Sequence, residues 1–93
     1  MTTTSAATHW VAECFWPGVR GEDVQDVDRR LVVLAAESAE RTEAASYHGS
    51  LRITDDEVVL FLFEGPITSV QQLVRRADIR ASRILHCTRT SVT

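Results

Sequence analysis

Hydrophobic and polar positions along the chain fall into six blocks. The most apolar is 58–63, VVLFLF, six residues without a polar break, bounded by Glu57 and by Glu64-Gly65-Pro66. β-Branched, aromatic and leucine residues at this length predict a strand buried on both faces. Val58, Leu60 and Leu62 fall on one side, and Val59, Phe61 and Phe63 on the other. Before it, HWVAECFW (9–16) has strand composition and ends at Pro17-Gly18. One face carries His9, Val11, Glu13 and Phe15, and the other Trp10, Ala12, Cys14 and Trp16. In 21–45, Val24, Val27, Leu31 and Leu34 follow the three-four spacing of an amphipathic helix, with Glu22, Asp23 and Asp26 in its first turn. Past Leu34 the run AAESAERTEAA keeps helix propensity but has no large apolar residue, so the helix ends between 38 and 45.

Residues 47–54 alternate. Tyr47, Leu51 and Ile53 face one way with Gly49, and His48, Ser50, Arg52 and Thr54 the other. Asp55-Asp56 turns this strand into the 58–63 run as a hairpin. A second helix spans 67–77, with an apolar stripe of Val70, Leu73, Val74 and Ala77, arginines 75 and 76 near its end, and a capping box from Thr68/Gln71 or Ser69/Gln72. The last strand, 82–89, alternates Ile84 and His86 with Leu85 and Cys87. The order is therefore βαββαβ. That predicts an α+β, ferredoxin-like domain over 9–90: a four-stranded antiparallel sheet with both helices on one face. A disordered segment is expected over 1–8 and a polar tail at 91–93.

This arrangement leaves one sheet face uncovered while the central strand is apolar on both. About 300 Å² of apolar surface, including Val11, Phe15 and Ile84, would face water, a size that marks an interface. Phe61 is placed at that interface. With only 93 residues to build a core, the chain is expected to form a face-to-face homodimer.

Composition adds exclusions. The net charge of −3 and ten arginines spread along the chain, with no lysine, argue against nucleic acid. No apolar run reaches membrane-span length, and the first residues lack signal-peptide character, so no membrane partner and a cytoplasmic location are expected. Cys14 and Cys87 are expected to be reduced thiols.

AECFWPG, VLFLFEGP and VRRADIRASRI together resemble the dimeric α/β-barrel superfamily. Within it the chain is most similar to short proteins of unknown function that include nickel-binding members. Glu13, Phe15, Pro17-Gly18, Glu64, Pro66, Arg75-Arg76-Ala77 and Arg83-Ile84 stand at the matching positions, across 11–86. Trp16 is an insertion before Pro17, which could bulge the first strand and flip Glu13. The resemblance implies a small ligand or a transition metal such as nickel.

Glu13, His48, Arg52 and His86 are expected to converge as a ligand site on the face away from the helices. His9, His48 and His86 are the candidate metal ligands, since imidazole suits nickel, zinc and copper. The chain is thus read as a ligand- or metal-binding dimeric α/β barrel. One alternative is a cofactor-free monooxygenase- or isomerase-like enzyme with Glu13 and a histidine moving protons. The other is a structural module without a ligand.

Overall fold

A computed structural model describes residues 8–90. The expected tail at 91–93, and all but the last residue of the expected disordered segment, lie outside the described residues. The elements are β1 (His9–Phe15), α1 (Gly21–Ser38), β2 (Ser46–Ile53), β3 (Val58–Glu64), α2 (Ile67–Arg76) and β4 (Arg83–Cys87). The four strands form one antiparallel sheet in the order β2-β3-β1-β4. This is the ferredoxin-like arrangement.

Both helices lie on one face of the sheet, and the core is the layer between them. Ala12, Cys14, Val59, Phe61 and Phe63 supply the sheet side. Val24, Val27 and Leu31 of α1, with Val70, Leu73 and Val74 of α2 and Ala77 after it, supply the other. These are the helical stripes read from spacing. The alternation in β3 is equally direct: Val59, Phe61 and Phe63 are buried, and Val58, Leu60 and Leu62 are half-buried on the far face. Phe61 is fully enclosed in the core, so its expected place at an interface is wrong. Its partner across β1 is Ala12, the smallest side chain on that face, which leaves room for the ring.

The first helix ends within the expected range, and the cap of the second differs from expectation. α1 stops at Ser38, whose hydroxyl donates to the carbonyls of Leu34 and Ala35, and turns lead to β2. Its start is held by Arg20, whose backbone N–H donates to Asp23 Oδ2 at 2.8 Å. The capping box expected in α2 does not form. Pro66 is the N-cap, and the Ser69 hydroxyl donates instead to the carbonyl of Glu43 in the loop below.

Trp16 does not disturb β1. Pairing with β3 is unbroken from His9↔Glu64 to Phe15↔Val58. The additional residue is taken up in the turn that follows, braced by Glu57: Trp16 N–H donates to its carbonyl and Gly18 N–H to its carboxylate, each at 2.7 Å. Glu13 therefore stays on the face away from the helices.

The irregularity is in β2 instead. Tyr47 pairs with Phe63 and Ser50 with Phe61, so His48 and Gly49 together oppose the single residue Leu62. This is a β-bulge, with Gly49 at φ +103. It inverts the parity of the strand beyond it. Tyr47, Ser50 and Arg52 all face the helices, and Leu51 and Ile53 turn to the open face.

Candidate functional site

The open face of the sheet is the surface on which sequence reasoning places the site. Across it run His9, Val11, Glu13 and Phe15 of β1, Val58, Leu60 and Leu62 of β3, Leu51 and Ile53 of β2, and Arg83, Leu85 and Cys87 of β4. Eight of these twelve are large apolar side chains. Phe15 is 60% exposed and Leu51 59% exposed, although each lies in or beside an apolar stripe. Leu85, not Ile84, is the β4 residue in this surface, because Ile84 pairs with Ala12 and packs against the core.

The structure does not bring Glu13, His48, Arg52 and His86 together. Glu13 and His48 lie on the open face. Arg52 is on the helix face, turned there by the bulge, with its guanidinium near Gly21 at the start of α1. His86 pairs with Trp10, also on the helix side, and its ring lies 5.0 Å from the Trp10 ring. Ile84 and His86 thus lie on the opposite side from Glu13, contrary to expectation. Burial of Ile84 sets the register of β4 and takes His86 with it.

Glu13 is not a free carboxylate. Arg83, its register partner on β4, donates Nε–H to Oε1 at 2.9 Å. Its level on the sheet is that of Leu60 and Leu51. At ordinary strand spacings that is about 12 Å from His48.

Two of the three candidate metal ligands do share a place. His9 and His48 line a hollow of about 540 Å³ at one end of the open face, with Leu62, Cys87 and Arg89. His48 Nε2 is 3.0 Å from Ser46 Oγ, and His9 Nδ1 is 3.6 Å from a Glu64 oxygen. His86 is absent from this hollow and Cys87 takes its place, a residue that correct β4 parity would have supplied. Among the described residues no three histidine, cysteine or acidic side chains are grouped closely enough to hold a metal ion within one chain.

The cysteines lie on neighbouring strands but opposite faces, and both are free. Burial, helped by the nearby Glu13 charge, pushes the Cys14 thiol up to about 11. Under the helices, Tyr47 donates its hydroxyl to Asp28 of α1, and Ser50 donates to the other Asp28 oxygen at 3.1 Å. Burial and the Asp28 carboxylate hold the Tyr47 phenol well above its usual range. This triad ties β2 to α1.

A second cavity, of about 440 Å³, opens on the helix side near the end of β1. Cys14, Val27 and Phe61 form its depth, Trp16 and Ile79 its walls, and Arg30, Asp78 and Arg80 its rim. None of these residues is among the expected site residues. Arg30 comes from α1 and Asp78, Ile79 and Arg80 from the turn after α2, and no local spacing connects the two stretches.

No family model matches the chain, and no curated protein matches it. A solved structure, SCO4226 from Streptomyces coelicolor A3(2), is similar over 89% of this chain and 99% of its own, with a TM-score of 0.71 at 15% identity. At that identity the likeness shows the shared fold. No helix among the described residues is long and apolar enough to cross a membrane.

Proposed function

We propose that the protein is a homodimer closed through the open faces of two sheets, a dimeric α/β barrel, and that the dimer is a small-ligand-binding module. The observation that carries this reading is the open face itself. Val11, Leu51, Ile53, Val58, Leu60, Leu62 and Leu85 form a continuous apolar surface across the four strands. Removing such surface from water contributes about 25 cal/mol per Å². A second sheet packed face to face covers it, and a twofold axis brings the same strands of both copies together. The hollow with His9, His48 and Cys87 lies at the end of that interface and offers the polar groups a ligand would meet.

Transfer of protons by Glu13 and a histidine has less support, because Glu13 is held by Arg83 and lies away from His48. A metal would need ligands from both copies.

Sedimentation equilibrium over a micromolar range tests the assembly. A mass near twice 10.4 kDa is expected. A monomer at every concentration overturns the reading. Titration with nickel, followed by thermal unfolding, tests the metal arm: a ligand that binds the native state alone raises the melting temperature.

A further inference from the structure

The helix-side cavity is built within one chain, and Phe15 at the end of the open face also lines it. We propose that it binds an aryl carboxylate, a flat aromatic group carrying one negative charge on a short arm. Phe61, Cys14 and Val27 close the floor of the cavity and expose almost nothing to it, so the apolar surface a ligand meets is that of Phe15, Trp16 and Ile79. Trp16 and Ile79, both half-buried, flank the floor. Cys14 contributes a protonated thiol, since burial holds it neutral far above pH 7. Nothing there offers a charge or a strong hydrogen bond, so the buried part of a ligand must be apolar. The Trp16 indole favours an aromatic partner.

The rim has the opposite character. Arg30 and Arg80 line it, and among the described residues neither forms an ion pair with an acidic side chain. Arg30 is positioned by its own hydrogen bond, Nη2–H to the carbonyl of Ala77 at 3.1 Å, which leaves its other N–H groups to turn outward. A guanidinium presents paired donors that match a carboxylate. Asp78 stands at the same rim. It makes a second negative charge on the ligand unfavourable, which selects a carboxylate over a phosphate dianion. At about 440 Å³ the cavity is of small-ligand size.

Isothermal titration of the whole chain with indole-3-acetate, indole-3-acetamide and inorganic phosphate tests this. The acid should bind about tenfold or more tighter than its neutral amide, the effect of a charge-assisted hydrogen bond. Phosphate should not compete. Arg80→Met should bring the acid to the level of the amide and Arg80→Glu should weaken it further, with unchanged melting, because Arg80 is exposed. Arg30→Met also loses the bond to Ala77, so the Arg80 variants decide. In ¹H–¹⁵N spectra the acid should move Cys14, Trp16 and Ile79. Equal binding of acid and amide overturns the proposal, as does full affinity in both Arg80 variants or no binding of the acid at millimolar concentration.

Discussion

Cys14 and Cys87 show how far one residue's environment departs from its type. Both are thiols on adjacent strands, yet Cys14 is buried in the core and Cys87 is half-buried in the open-face hollow. In the folded protein Ellman's reagent should titrate Cys87 well before Cys14, because a thiol that burial keeps protonated is a poor nucleophile. Equal rates would contradict the assigned faces. The raised Cys14 pKa also makes stability depend on pH. Unfolded, the thiol ionises near its ordinary 9.0, and folded near 11. Between these values the unfolded chain has released a proton that the folded chain keeps, so stability is fully present below pH 9 and is lost as pH rises toward 11. Tyr47, also raised, adds a loss of the same sign above its ordinary value of 10. Cys14→Ala should flatten the part of the melting-temperature decline that begins near pH 9 and leave the later part. An unchanged profile in Cys14→Ala would rule the thiol out. Replacing Asp28 with Ala should cost about 1–3 kcal/mol in urea unfolding, since the Tyr47 and Ser50 hydroxyls lose their shared acceptor.

At the scale of elements, every strand and helix is legible in the sequence, because each is carried by a hydrophobic period that packing then satisfies. The faces within β1, β3, α1 and α2 are legible for the same reason. What was not legible is parity at the two edge strands. In β2 the pattern from Tyr47 to Thr54 reads as unbroken alternation, and the bulge at His48-Gly49 is written only in the presence of a glycine. In β4 a five-residue strand has apolar residues on both sides, so only its register with β1 decides which face Ile84 takes. Those two ambiguities account for Arg52 and His86, the two site residues that were misplaced. The helix-side cavity was invisible for another reason: its parts meet only in three dimensions. Two glycines rank the cost of these geometries. At Gly49 a Cβ would meet nothing, but φ is +103. Gly49→Ala should cost about 1–2 kcal/mol of backbone strain. At Gly65, φ is +134 and a Cβ would lie 2.9 Å from Ala45 Cα and 3.1 Å from the Ala44 carbonyl oxygen. Gly65→Ala should cost about 3 kcal/mol or more, strain and overlap combined. Urea denaturation should place Gly65→Ala below Gly49→Ala, and the reverse order would contradict the close approach of the 44–45 loop to the end of β3.

In the molecule as a whole, the proposed dimer gives the two faces of one sheet different destinations. The face bearing Val59, Phe61 and Phe63 closes the core of a single chain. The face bearing Val58, Leu60 and Leu62 has no cover within the described residues and is assigned to a second copy. Leu60 and Phe61 are neighbours in sequence that point opposite ways, so they separate the two roles with one substitution each. A glutamate at either place puts a carboxylate where an apolar group was, at a cost of several kcal/mol if it stays buried and unpaired. At Leu60 that cost is escaped by leaving the interface, and at Phe61 it is not. The decisive measurement is the light-scattering mass of Leu60→Glu beside wild type, with Phe61→Glu as the core control. Wild type should have about twice the chain mass of 10.4 kDa, Leu60→Glu should be a folded species of 10.4 kDa, and Phe61→Glu should unfold. A wild-type mass of 10.4 kDa, or a Leu60→Glu protein that remains a dimer, would contradict the assignment of the open face.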